Sequence, residues 1–343
     1  MEFVGRAGAP DRHFEAVQRG LSEEALRPMV SAITVTYYTG PVLWYCIDSL
    51  LAQPELGELI IVINGADSET RSSLQERASA DHRIRLIDPG RNLGFAPGCN
   101  VGAASAAYDY IAFVNPDCNL APDTFGPILD VFAKQPNAWL VGGRLQNPDG
   151  REQRGGRREF LTPWRAFVEV TRLDRIFPHH PYFRKLHIFD RTPMPETTVV
   201  PVVSGAFMMM RRGHYERVGG MDNNFFLHFD DLDLCLRVHR HRGEVWYAGN
   251  VPITHYRSTS DVPRLFVEWH KTRSGCYYFK KHFHSTYPRW TLSALSVVLW
   301  VRFFVIAARL FPSDIKRVLD LEARADREGR NEVLERKSSG AQA

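Results

Sequence analysis

The chain predicts an α/β domain, a mixed and mostly parallel sheet flanked by helices, followed by an apolar C-terminal helix. Three observations carry that expectation. β-branched or apolar runs at residues 30–36, 59–63 and 84–87 alternate with helix-length segments at 42–51 and 68–78, the pattern of parallel strands joined by crossover helices. The apolar run 110–114 ends in Asn115-Pro116-Asp117, and far downstream Ile253-Thr254-His255 repeats the arrangement of an apolar strand tip carrying a polar side chain. Residues 291–311 are apolar on nearly every helical face.

In chain order, residues 1–29 read as a polar extension without the apolar segment of a signal peptide, so the domain is expected in the cytoplasm. The folded domain is expected at 30–285. Within it, 98–107 is rich in small residues and predicts a helix packed closely on the sheet, leading into the strand 110–114. Asn115 and Asp117 then sit at a carboxyl strand end, where open α/β sheets bind ligands. From 142 to 201 the pattern becomes irregular, with a basic run at 151–158, and reads as an insertion over the active site. A strand at 199–210, a helix at 230–242 and a strand at 245–248 restore the order before His255. Residues 286–343 form the C-terminal helix and a charged tail.

Composition narrows the function classes. A chain of 343 residues with 44% hydrophobic content has an ordinary globular make-up, which excludes a disordered or fibrous protein. The net charge of +4 is small, yet basic residues cluster at 144–175 and 271–317, which favours anionic partners at particular faces. Diphosphates and anionic lipids fit; nucleic acid is not expected, because no reading helix or aromatic stacking platform accompanies the arginines. The five cysteines show no Cys-x-x-Cys spacing and read as reduced structural thiols.

Further motifs lie between the two strand tips: Arg91-Asn92-Leu93-Gly94-Phe95-Ala96-Pro97-Gly98-Cys99-Asn100, Ser204-Gly205-Ala206-Phe207, and Val218-Gly219-Gly220-Met221-Asp222 running into Asp230-Asp231. In this order and spacing, together with Asn115-Pro116-Asp117, they resemble the inverting, nucleotide-sugar-dependent glycosyltransferases of family 2, especially the rhamnosyltransferase-like branch, over about residues 31–281. The resemblance implies a GT-A-type nucleotide-sugar-binding fold. It also implies transfer of one sugar, rhamnose or another deoxyhexose, from a nucleoside diphosphate donor to a polyprenyl-diphosphate-linked saccharide at the cytoplasmic face of a bacterial inner membrane, in cell-surface polysaccharide assembly.

Such a transfer needs a cation to carry the charge growing on the leaving diphosphate, and Asp117 and His255 are the expected ligands of Mg²⁺ or Mn²⁺. Alone, Asn-Pro-Asp is a common turn and a histidine at a strand end is commonly structural. The resemblance makes Asp231 the general base toward the acceptor hydroxyl, with Asp230 supporting it, although acids in a first helical turn are also favoured by the helix dipole. Thr36, Tyr38, Asn64, Asn92, Asn100 and Asn115 are the expected nucleotide contacts. The family's usual base-binding Asp is missing at Ile63-Asn64-Gly65, which leaves the nucleobase open. A UDP-hexose or UDP-N-acetylhexosamine transferase, or an inactive binding protein of the same fold, are the alternatives.

For the C-terminal helix, Arg302, Arg309 and Lys316 are spaced by seven and predict one basic stripe on an apolar surface, hence a helix lying in the plane of an anionic membrane. A true span needs about 20 apolar residues, and Arg302 interrupts this one.

Overall fold

The computed structural model describes residues 29–176, 180, 182, 196–257 and 262–310. The extension 1–28, most of the segment 177–195, and Phe311 with the charged tail fall outside the described residues.

The predicted alternation is present. β1 (Val30–Tyr37), α1 (Val42–Leu51), β2 (Leu56–Gly65), α2 (Ser68–Ala80), β3 (Ile84–Ile87), α3 (Phe95–Ala104) and β4 (Tyr110–Val114) follow one another as strand and crossover helix. β5 (Cys118–Leu120), α4 (Phe125–Lys134) and β6 (Ala138–Gln146) come next. The region expected to be irregular holds the short β7 (Arg157–Arg158), α5 (Pro163–Thr171) and α6 (Leu173–Ile176). The single strand expected at 199–210 is three pieces, β8 (Thr197–Val199), β9 (Val202–Val203) and β10 (Phe207–Arg211), interrupted at Val200-Pro201 and again by the turn at Gly205-Ala206, where Gly205 N points to Asp231. After α7 (Arg212–Arg217) and α8 (Asp230–Arg240), β11 (Glu244–His255) runs unbroken through the predicted 245–248 to His255, with a register shift between Ala248 and Pro252. α9 (Arg264–Phe283) and α10 (Arg289–Leu310) close the described chain.

The main sheet has the order β3-β2-β1-β4-β10-β6-β11-β5, with β8 paired to β11, and β7 and β9 form a separate two-stranded sheet. β1, β2, β3, β4, β6 and β11 run one way, and β5, β8 and β10 oppose them. Alternate side chains of each central strand enter two cores, as the pleat requires. Ile33, Val35, Ile60 and Val62 face α3, α8, α9 and α10; Ala32, Leu59, Ile61 and Ile63 face α1, α2 and α4. α3 starts three residues earlier than expected, because Gly94 at φ 89° turns the chain into it.

α10 lies against the domain by Leu292, Leu295 and Phe303, leaving Trp290, Val297, Val301, Phe304 and Val305 exposed. It is long and apolar enough to cross a membrane by length and composition, with 22% of its most apolar window buried. Of the residues of the predicted basic stripe, Arg302 is bonded to Glu268 of α9 at 2.9 Å, and Lys316 lies outside the described residues.

α8 and α9 are joined through one carboxylate. Asp233, fully buried, accepts from Lys281 at 2.5 Å, from His282 Nε2 at 2.7 Å and from Arg237 at 2.8 Å. Removing one member of a buried ion group strands its partners without water. Asp233→Ala is expected to lower unfolding free energy by roughly 3–5 kcal/mol in urea titration; a loss below about 1 kcal/mol, the range of surface pairs, would show that the network carries little.

Candidate active site

Strand register brings the two predicted metal ligands together. β5 pairs antiparallel with β11 so that Cys118 lies opposite His255, and Tyr256 N donates to Asp117 O at 3.0 Å. His255 Nε2 is then 3.2 Å from Asp117 Oδ1. The histidine is oriented by Gln153, buried in the insertion. Its amide nitrogen donates to the His255 carbonyl and to Asn147 Oδ1, both at 3.0 Å, so its oxygen faces His255 Nδ1 at 2.7 Å and accepts that proton. With Nδ1 held by Gln153, Nε2 is the nitrogen on the Asp117 side, placed to share a cation with the carboxylate.

The donor set fits a hard divalent ion. Cis ligands at about 2.1 Å from an octahedral centre lie about 3.0 Å apart, close to the spacing found, and one carboxylate with one imidazole leaves positions for diphosphate oxygens and water. Cys118 is near enough to suggest a third ligand. Its chemistry argues otherwise, because burial, and then the Asp117 charge, push the thiol well above its ordinary value, and Sγ lies 3.4 Å from Ala206 O as a donor.

The acid pair sits at the first turn of α8, held by the same segment that holds the strand tip. Ala206 O accepts from Asn115 N at 2.8 Å, and Gly205 N donates to Asp231 Oδ2 at 3.0 Å. Asp231 also accepts from Leu232 N at 2.7 Å and pairs with the guanidinium of Arg158. Asp230, 5% exposed, has less compensation, only its own backbone N–H and the charge of Arg158. Burial, and then the neighbouring Asp231 charge, raise its carboxyl above the ordinary carboxylate range. The two acids thus differ in their surroundings, Asp231 ringed by hydrogen-bond donors and Asp230 held toward the neutral form.

The expected nucleotide contacts separate into two groups. Tyr38, at φ 45° and 44% exposed, lies open at the end of β1, and Asn92 and Asn115 are half-buried at the crevice. Thr36, Asn64 and Asn100 are committed to the protein. Thr36 bonds Thr39 at 3.1 Å, and Asn64 donates to Gly94 O at 2.8 Å, fixing the loop in which Asn92 accepts from Gly94 N at 2.9 Å. Asn100 donates to Met221 O and Asn223, both at 2.7 Å, and accepts from Tyr215 at 2.5 Å and Met221 N at 2.9 Å. Every hydrogen-bonding position of the Asn100 side chain is filled, so it joins α3 to the 219–223 turn. Gln153 and Arg158 were not singled out from sequence, where only the basic run 151–158 marked the region.

Sheet order, crevice and acid-bearing helix define a glycosyltransferase domain of the GT-A type. A mannosyltransferase from Pyrobaculum calidifontis, solved with GDP-Man and Mn²⁺, superposes with a TM-score of 0.50 at 15% identity, over 86% of this chain and 82% of that one. GalNAc-T7, solved with UDP, GalNAc and Mn²⁺, superposes at 0.53 and 14% identity, over 74% and 50%. Residues 31–219 match the family described as Glycosyl transferase family 2, and the chain belongs to that family. Among its relatives, the N-acetylglucosaminyl-diphospho-decaprenol L-rhamnosyltransferase of Mycobacterium tuberculosis is 25% identical over 292 residues, 77% of this chain and 89% of that protein. The glucosyl-dolichyl phosphate glucuronosyltransferase of Haloferax volcanii is 25% identical over 241 residues, 66% and 70% of the two chains.

Two outcomes are expected. Asp117→Ala should abolish the Mn²⁺-dependent part of nucleotide binding in calorimetry, and Gln153→Leu should weaken it by about 10–100-fold through loss of ring orientation; unchanged metal dependence in folded Asp117→Ala protein would remove this pair from the site. For Asp230, a folded-state value raised above 3.8 means that the native state binds more protons than the unfolded chain, so its contribution is full at low pH and is lost as pH rises through the raised value. Asp230→Asn should therefore gain melting temperature relative to wild type between about pH 5 and about pH 9, and a constant difference across that range would contradict the assignment.

Proposed function

We propose that this glycosyltransferase works by inversion, moving one sugar, L-rhamnose or another deoxyhexose, from a nucleoside diphosphate to a polyprenyl-diphosphate-linked saccharide at the cytoplasmic membrane face, in bacterial cell-surface polysaccharide assembly. The observation that carries the chemistry is an oriented Asp117–His255 pair joined through the 204–206 segment to the Asp231 carboxylate, since Ala206 O accepts from Asn115 N and Gly205 N donates to Asp231. The sugar and the lipid-linked acceptor rest on similarity to the mycobacterial rhamnosyltransferase, which matches along most of both chains.

In this reading Asp117 and His255 hold Mg²⁺ or Mn²⁺, which when bound neutralises charge developing on the departing nucleoside diphosphate. Asp231 accepts the proton of the acceptor hydroxyl, whose oxygen attacks the anomeric carbon from the face opposite the leaving diphosphate. Oδ1 of Asp231, with Leu232 N as its donor, retains a lone pair for that proton, while Arg158 and Gly205 N occupy Oδ2. Asp230, kept toward its neutral form, adds no second negative charge beside the incoming hydroxyl. One base and one displacement invert the anomeric configuration, whereas retention through a covalent intermediate would require a carboxylate nucleophile.

Transfer is to be measured with a panel of deoxythymidine-, uridine- and guanosine-diphosphate sugars, with Mn²⁺, Mg²⁺ or chelator, and a polyprenyl-diphosphate saccharide as acceptor. A deoxyhexose donor is expected to give the highest kcat/KM, and metal-independent transfer would refute the reading. Asp231→Asn is expected to lower kcat by on the order of a hundredfold at saturating donor; near-wild-type turnover would move the base elsewhere.

A further inference from the structure

We propose that Lys271 and His228 form an anion-binding subsite on the acceptor side of Asp231, and that it takes the diphosphate of a lipid carrier. The inference rests on the functional reading above and assigns the part of the acceptor that the acid pair does not touch.

The segment before the acid pair is fastened along one face of α9. The Phe226 ring stacks on His270 with centroids 4.1 Å apart, and Ser274 Oγ donates to Leu227 O at 2.9 Å. Phe229 packs on Tyr278 and Phe279, so near α9 that a Cβ at Gly275 would lie 3.0 Å from its ring. Positions 271, 274, 275 and 278 share one helical face, so Lys271 flanks the same segment one turn earlier.

Within that segment, His228 at φ 64° and Phe229 at φ 68° are consecutive left-handed residues, a conformation that side chains other than glycine's rarely adopt. Strained backbone of this kind gathers at functional sites when its surroundings over-determine it. Its effect is to seat Phe229 inward as the residue preceding α8 and to leave His228 solvent-accessible beside the acids, yet so closely surrounded that burial lowers its imidazole to about 4 and keeps it neutral. The charged groups facing His228 are Lys271, Asp231, Glu268 and Arg158.

Their pairing leaves a positive excess. Asp231 is matched by Arg158, and Glu268 by Arg302 at 2.9 Å. Lys271 lies 3.9 Å from Glu268, 43% exposed, in only a weak pair with a carboxylate already served by arginine. A cation with its charge incompletely spent and an imidazole able to donate a hydrogen bond therefore sit together beside the base. The apolar helix α10 lies one ion pair away, reached through Glu268, which Arg302 of α10 holds. Trp269, 44% exposed, meets Trp300 of α10 at 4.9 Å, and Val297, Val301, Phe304 and Val305 extend the exposed face. An anion seat bordering a hydrocarbon surface matches a diphosphate esterified to a long apolar chain better than it matches a free anion.

The test uses full-length protein in chelator, so that the Asp117 site binds no metal. Farnesyl diphosphate, farnesol and inorganic pyrophosphate are titrated by calorimetry against wild type, Lys271→Met, Lys271→Arg and His228→Gln, with melting temperatures as the check on folding. Wild type is expected to bind farnesyl diphosphate more tightly than either fragment. Lys271→Met and His228→Gln should each weaken it by about tenfold, the scale of one charge-assisted hydrogen bond, while Lys271→Arg retains binding. Wild-type affinity in both folded variants would overturn the subsite, and pyrophosphate binding as tightly as farnesyl diphosphate would overturn the lipid assignment. Lys271-dependent binding without transfer to any polyprenyl acceptor would support the subsite and count against the functional reading instead.

Discussion

The pairing of three residues, Cys118–Leu120, against the end of β11 is the constraint on which the crevice depends. The strand is short, yet its register decides whether Asp117 and His255 meet, because a one-residue slip in a β pairing turns every side chain to the opposite face. The register is held from several sides. Pro116 and the Asn115 turn fix the entry, Tyr256 N closes on Asp117 O, and Cys118 reaches Ala206 beneath. Gln153 then adds what strand pairing cannot, the rotation of the imidazole about its own axis.

The segment 204–206 extends that order across the crevice. One residue's amide serves Asp231 and the next residue's carbonyl serves Asn115, so the two chemical ends of the site share a backbone support. Space is tight at Gly205, where a Cβ would stand 3.3 Å from the Asp231 side chain and press it aside by a few tenths of an ångström. Arg158 completes the arrangement. Two adjacent carboxylates in a partly buried recess repel one another, and the Arg158 guanidinium on Asp231 offsets part of that repulsion.

Much of this was legible in the sequence, for identifiable reasons. The central strands are continuous β-branched runs, and the helices between them have the length of crossovers, so order and type follow from local pattern. Strand ends were less visible: β2 extends beyond its predicted 59–63 in both directions, because Leu56 and Gly65 pair with β1 although neither belongs to the β-branched run. The break of 199–210 into three strands depends on where Asp231 needs an amide, a tertiary fact. Asp117 and the acids carried motif spacing, whereas Gln153 and Arg158 lie in a basic run where no local pattern separates an orienting amide or counter-ion from a solvated charge. Asn100 shows the converse, a motif residue whose side chain is consumed by the protein itself.

The contact at Gly94 has a mechanical meaning. Phe95 N donates to Phe226 O at 2.8 Å, and a Cβ on Gly94 would stand 2.6 Å from that same oxygen. The loop 91–94 and the segment carrying His228 and the acids are therefore in backbone contact with no side chain between them. Any displacement of the first would be passed straight to the second, because no flexible side chain stands between them to absorb it.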